Sequence, residues 1–84
     1  MDINYSVYIV ECSDGTYYCG YAKDLERRIA EHNLSKKGAK YTFSRRPVVL
    51  KYSEKFDTLS AALKREYQIK KLSRLEKGKL LCGT

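Results

Sequence analysis

The stretch Ser6-Val7-Tyr8-Ile9-Val10, then Asp14-Gly15, then Tyr18-Cys19-Gly20 decides the fold. From Tyr5 to Cys12, and again from Thr16 to Tyr21, β-branched and aromatic residues alternate on either side of Asp-Gly, which predicts a β-hairpin. Loop length then determines what the hairpin can do. A two-residue Asp14-Gly15 loop would put Tyr8 and Tyr18 on opposite faces, because strand side chains alternate. A three-residue loop, Ser13-Asp14-Gly15, with Gly15 in the left-handed conformation, shifts the register by one. Tyr18 then faces Val10, Tyr8 faces Gly20, and both hydroxyls emerge on one side, with Gly20 leaving space beside Tyr8 for a substrate or another backbone. A working tyrosine pair requires this second arrangement. Strand tyrosines are otherwise ordinary packing residues.

Outward from the hairpin, Asp24 is a good N-cap for a helix running to about Asn33. Pro47 opens a third strand, Val48 to Ser53. Asp57 or Thr58 caps a second helix reaching about Leu72, and Ser73-Arg74-Leu75-Glu76 has the form of a capping box for a last helix to Leu81. The order β-β-α-β-α-α implies an α+β fold, a small three-stranded antiparallel sheet flanked by helices. At 84 residues the chain has room for one domain, spanning 1–84.

Charge points to a polyanion. Between Ser35 and Arg46 stand Lys36, Lys37, Lys40, Arg45 and Arg46, five of the chain's 17 basic residues, with none of its 10 acidic ones. This segment therefore carries most of the net charge of +7, and Tyr41 and Phe43 within it could stack on bases. A solvated surface loop is the plainer explanation; beside the tyrosine hairpin, nucleic acid is the better one.

The helices add ionisable groups. Leu25 and Ile29 define the buried stripe of the first helix, with Arg28 and His32, the only histidine, close to it. On the second helix the expected stripe is Leu59, Ala62, Leu63, Tyr67 and Ile69, with Glu66 roughly 20° from Leu59. A carboxylate on an apolar face needs a partner. An ion pair with Lys70 at i+4, a buried pair with Arg28 and a divalent cation all remain open.

Composition excludes other classes. Apolar residues at 43% and charged residues at 32% suit a globular chain and no disordered one. No apolar run approaches the ~20 residues that span a bilayer, and no secretory leader is visible. Cys12, Cys19 and Cys82 are odd in number and form no CxxC pair, so neither a disulfide framework nor a zinc site is expected. They fit reduced thiols, hence a cytoplasmic protein without membrane contact.

Taken together these residues resemble the GIY-YIG endonuclease superfamily, in particular its small stand-alone bacterial branch, over nearly the full length. Ser6-Val7-Tyr8 stands at the first signature, Tyr18-Cys19-Gly20 at the second, and Asp24-Leu25-Glu26-Arg27-Arg28 at the first helix. Lys37-Gly38-Ala39-Lys40-Tyr41-Thr42 and Leu63-Lys64-Arg65-Glu66-Tyr67-Gln68-Ile69-Lys70 also resemble that branch. Ser6 replaces a glycine and Cys19 an isoleucine, and the asparagine found late in many members has no counterpart.

The resemblance implies a metal-dependent endonuclease that hydrolyses nucleic-acid phosphodiesters with Mg²⁺ or Mn²⁺, with DNA favoured over RNA. It implies Glu66 as metal ligand, Arg28 on the scissile phosphate, Tyr8 as general base assisted by Tyr18, and His32 as an auxiliary acid–base group. A tyrosine, with reference pKa ~10, needs nearby positive charge for such a role, which Arg28 and the metal would provide. Lys36, Lys37, Lys40, Tyr41, Arg45 and Arg46 would hold the nucleic acid along the rim, and a protein partner could supply specificity. The alternative is a non-catalytic nucleic-acid-binding module with the same fold.

Overall fold

In a computed structural model, residues 4–34 and 40–81 are described. The elements are β1 (Tyr5–Glu11), β2 (Tyr17–Ala22), α1 (Leu25–Leu34), α2 (Lys40–Phe43), β3 (Val49–Phe56), α3 (Leu59–Lys70) and α4 (Arg74–Leu81). The strands form one antiparallel sheet in the order β2-β1-β3. This is the expected α+β order β-β-α-β-α-α, with the single turn α2 added inside the basic segment. No periodic signal announces α2, because four residues are too few to show one.

The hairpin takes the three-residue loop. Cys12 N–H donates to the Thr16 carbonyl at 2.8 Å, Gly15 N–H donates to the Cys12 carbonyl at 2.9 Å, and Gly15 has φ +83°. A side chain at 15 would be strained in that conformation. Tyr8 accordingly pairs with Gly20, and Val10 with Tyr18.

Alternation along β1 then sorts two cores. Val7 and Ile9 pack with Cys19 against Ala62 and Ile69 of α3. Tyr8 and Val10 point the other way, packing with Cys12 and Val48 and flanked by Tyr18, Ala22, Leu25 and Ile29. The sheet therefore carries α3 on one face and α1 on the other, which lets so short a chain bury both sides of its central strand. Cys12 and Cys19 are buried free thiols, as expected of small apolar residues, and Cys82 lies outside the described residues.

Capping follows the sequence closely. The Asp24 carboxylate accepts from Arg27 N–H (3.1 Å), and the Thr58 hydroxyl accepts from Ala61 N–H (3.2 Å). Ser73 and Glu76 exchange both bonds of a capping box, at 3.0 and 3.2 Å. Two expectations change. β3 starts at Val49 rather than Val48 and runs on to Phe56, because Glu54, Lys55 and Phe56 pair with Val7, Ser6 and Tyr5. Such long-range pairing overrides the weak strand signal of Ser-Glu-Lys.

The second change concerns the buried face of α3. Of the expected stripe only Ala62 and Ile69 are buried, while Leu59, Leu63 and Tyr67 are 40, 41 and 61% exposed. Arg65 reaches β3, donating from Nε and Nη2 to the Glu54 carboxylate at 3.0–3.1 Å, and this holds the helix turned towards its 62–65–69 side. Leu59, Leu63 and Tyr67 are thereby rolled outward.

Candidate active site

Because the hairpin register sends Tyr8 and Tyr18 to the α1 face, both meet His32. The imidazole stands edge-on to the two rings, at centroid distances of 5.8 Å from Tyr8 and 5.4 Å from Tyr18. The Tyr8 hydroxyl lies 2.7 Å from His32 Nε2, and His32 Nδ1 lies 2.7 Å from the Thr42 hydroxyl. Tyr8, His32 and Thr42 are all at most 1% exposed.

Arg28, one turn before His32 on α1, is near enough for its charge to act on the Tyr8 hydroxyl, and its Nη1 donates to Glu31 Oε1 at 3.1 Å. Its side chain keeps 28% of its surface, enough for an anion to reach the guanidinium. Gly20 explains how the Tyr8 ring fits. A Cβ there would stand 2.6 Å from the Tyr8 Oη and 2.8 Å from its Cζ. The space expected for a substrate is thus taken by the Tyr8 ring itself.

Electrostatics separate the two partners of the buried bond. Burial, and then the Arg28 charge, push His32 down to about 4, so the imidazole is neutral at pH 7. Burial pushes Tyr8 up to about 12 even though Arg28 opposes it. The expectation that positive charge would make Tyr8 a ready base is therefore only half met: Arg28 has the expected sign, and desolvation outweighs it.

A pH dependence of stability follows. Unfolded, His32 would take up its proton near 6.5, while the folded chain resists until about pH 4. Between these values the unfolded chain binds more protons, so stability falls as pH falls. The span corresponds to about 3 kcal/mol at ~1.4 kcal/mol per pH unit. Urea denaturation between pH 7 and 4 should show this loss. The lowered carboxylates Glu54 and Glu76 act only below their ordinary value of 4.5 and cannot produce it. A flat profile from 6.5 to 4.5 would show that His32 is not held neutral by burial.

Glu66 stands apart from this group. It belongs to α3, on the Cys19 face of the sheet, and its nearest charge is Lys70 at 3.5 Å. Burial, followed by the Glu66 charge, pushes the Cys19 thiol up to about 11. Arg65 anchors α3 to β3, and Glu66 beside it is near enough to Cys19 of β2 for its charge to act on the thiol. The structure thus gathers Tyr8, Tyr18, Arg28 and His32 on one face of the sheet, while α3 with Glu66 packs on the other.

The basic segment is also reordered. Arg45 Nε donates to Asp14 Oδ2 at 3.0 Å, and the Arg45 carbonyl accepts from Ser13 N–H at 2.9 Å, tying the hairpin tip to the segment. Arg46 donates to the main-chain carbonyls of His32 and Glu31 and lies 4.7 Å over the Phe43 ring. Both arginines, expected as phosphate contacts, are therefore engaged as clamps within the fold. Lys36 and Lys37 lie outside the described residues, as do the side chains of Lys40 and Tyr41.

Asn33 adds another clamp: Val48 N–H donates to its Oδ1 at 2.7 Å, and its Nδ2 donates to the Val48 carbonyl at 3.0 Å. Sequence reasoning missed Thr42, Glu31 and Asn33. Only Glu31 carried a local signal, its i+3 spacing from Arg28.

No helix among the described residues is long and apolar enough to cross a membrane. Among them no group of three or more His, Cys, Asp or Glu side chains could hold a metal ion. Any ion would rest on Glu66 with water and substrate. That suits Mg²⁺, which commonly takes one or two carboxylates and keeps several waters. Lys70 is half-exposed while the Glu66 side chain keeps 15% of its surface, so the ammonium could swing away and leave the carboxylate to such a cation.

Comparison with known proteins identifies the family. The model of the GIY-YIG catalytic domain matches residues 4–79. A UPF0213 protein of Staphylococcus saprophyticus is 60% identical over 81 residues, covering 96% of each chain. One from Halobacterium salinarum is 59% identical over 71 residues, covering 84% of this chain and 91% of its own. Among solved structures, the UPF0213 protein BH0048 of Bacillus halodurans matches with TM-score 0.61 and 46% identity, over 94% of this chain and 83% of its own. The protein EF2693 of E. faecalis matches with TM-score 0.65 and 44% identity, over 95% and 84%. With both tyrosines, the arginine and the histidine gathered at one sheet face and the domain model matched almost end to end, the chain belongs to the GIY-YIG family of nuclease domains.

Proposed function

We propose that the protein is an endonuclease that hydrolyses phosphodiester bonds of nucleic acid, DNA ahead of RNA, with Mg²⁺ or Mn²⁺ bound at Glu66. The observation that carries this reading is the buried Tyr8–His32 hydrogen bond with the Arg28 charge acting on the same phenol. A packing tyrosine needs neither a neutral imidazole nor a guanidinium charge acting on it.

The chemistry assigned to each residue follows from its state. Tyr8 enters as a neutral phenol and does not act as a standing phenolate. As water attacks phosphorus, Tyr8 Oη takes the water proton while its own proton passes to His32 Nε2. The new P–O bond forms from water, the bond to the leaving oxygen breaks, that oxygen is protonated from solvent, and His32 returns its extra proton to solvent. His32, neutral beforehand, can accept the proton; a histidine already charged at pH 7 could not. Arg28 neutralises a non-bridging phosphate oxygen and stabilises the imidazole-bound phenol as it gives up its proton. Tyr18 packs against the other side of His32 and keeps the ring in place. The metal, when bound, would supply further neutralisation of the phosphate charge. Lys36, Lys37, Lys40 and Tyr41 would contact the nucleic acid.

The test is incubation of purified protein with labelled single-stranded, duplex and branched DNA and with RNA, in Mg²⁺, Mn²⁺ or chelator. Metal-dependent internal cleavage is the expected result. Binding without cleavage under every condition would leave a non-catalytic nucleic-acid-binding module.

A further inference from the structure

We infer that the groove between α4 and the end of the hairpin is a second nucleic-acid contact, a subsite for one unpaired nucleotide. The base lies against the Arg74–Tyr17 pair and the phosphate meets the neighbouring lysines. The groove has a volume of about 890 Å³, within the roughly 300–1,000 Å³ of small-molecule sites. It shares no residue with the Tyr8–His32 group. Tyr17 and Leu81, which line it, pack against the core of Val7, Ile9 and Cys19, so it opens on the α3 side of the sheet.

Charge is the first guide to its occupant. Lys51, Arg74 and Lys79 line the groove against one carboxylate, Glu11, from which Lys51 stands 3.9 Å away. Glu76, the acidic residue of α4, is turned to Ser73 in the capping box. The excess is positive, and the ligand it favours is an anion. Shape is the second guide. The Arg74 guanidinium stands 5.8 Å over the Tyr17 ring, and Leu75, 72% exposed, borders the same space. Among the described residues no carboxylate pairs with Arg74. A guanidinium backed by a phenol offers a planar cationic surface, which suits a nucleobase; an acidic peptide brings charge without a ring to stack.

Gly78 is the third. A glycine inside a helix is less favourable than alanine. A Cβ at this position would meet no atom within 4 Å, so no contact of the fold requires its absence. What the glycine leaves is bare backbone on the groove wall, where a ligand can come close. The groove also adjoins the basic segment at its Arg45 end. Arg74 Nη2 lies 3.6 Å from where a Cβ on Gly15 would stand, and Asp14 of the same loop holds Arg45 at 3.0 Å.

This inference rests on nucleic acid being the ligand of the proposed function, and not on cleavage. Its test is a series of ¹H–¹⁵N correlation spectra of the full chain as a single-stranded thymidylate tetramer is added, beside titrations with inorganic phosphate and with a tetramer of glutamate. The expected result is saturable displacement of the Tyr17, Leu75, Gly78 and Lys79 amide signals by the oligonucleotide, at concentrations about 10-fold lower than phosphate or the peptide requires. Gly78→Leu should abolish this displacement while thermal denaturation shows a midpoint at or above the native one, because leucine favours the helix and fills the groove. Arg74→Gln should weaken binding in the groove about 10-fold. If Gly78→Leu does not fold, Arg74→Gln decides, since residue 74 is exposed and has no ion pair to lose.

Groove amides that stay silent would overturn the inference. So would equal displacement by phosphate or by the glutamate peptide, or displacement unchanged in a folded Gly78→Leu or in Arg74→Gln. Cleavage with a silent groove removes the subsite and leaves the endonuclease. Displacement that both variants diminish, with no cleavage by the native chain, removes the endonuclease and leaves the subsite.

Discussion

Glu66→Ala is expected to abolish metal-dependent cleavage, by about 10²–10³-fold or more, while leaving affinity for nucleic acid nearly unchanged. The carboxylate is the one acidic group of α3, and its charge acts on Cys19 of the edge strand β2. Its present partner, Lys70, is half-exposed and joined to it at 3.5 Å, so loss of the ion pair costs the fold little. An effect on turnover without an effect on stability would thus isolate the metal role. Cleavage assays with Mg²⁺ and Mn²⁺, run beside fluorescence anisotropy binding and urea denaturation, separate the outcomes. Cutting at the native rate would remove Glu66 from the metal site. Loss of cutting together with loss of binding or folding would mean that the residue serves the scaffold.

Gly20→Ala should be nearly as damaging, for a different reason. The new methyl group would enter the Tyr8 ring at 2.6–2.8 Å and stand 3.3 Å from Tyr18 Cε2. Tyr8 has no room to withdraw, being 1% exposed and packed with Val10, Cys12 and Val48. The expected cost is about 1–3 kcal/mol from overpacking, together with rupture of the Tyr8–His32 hydrogen bond. Thermal denaturation gives the first quantity, and the Tyr8 hydroxyl and His32 ring resonances give the second. An alanine variant with native stability and native resonances would mean that the ring does not lean on Gly20. The glycine of the second signature is thus a packing requirement of the first signature's tyrosine, and the register Tyr8↔Gly20 makes it so.

Local chemistry made most of the fold legible. Alternation in Tyr5–Cys12, the Asp14-Gly15 pair, and caps at Asp24, Thr58 and Ser73 are short-range signals, and each was met by the matching hydrogen bonds. Once the structure selects the three-residue loop, Tyr8 and Tyr18 fall on the face where the helical period of α1 presents Arg28 and His32. Boundaries at β3 shifted where pairing with β1, made across some forty residues, outweighed local preference.

What the amino-acid order determined by itself is therefore the presence of the hairpin, the element sequence and the identity of the chemical groups, all properties of neighbours along the chain. The tertiary structure alone decided the rest. It rolled α3 so that Leu59, Leu63 and Tyr67 face outward, turned Arg45 and Arg46 into clamps, brought Thr42 to His32, and buried the Tyr8 hydroxyl deeply enough that desolvation outweighs the charge of Arg28. Each of these depends on which distant groups share a low-dielectric interior, and residue spacing along a chain contains no measure of that.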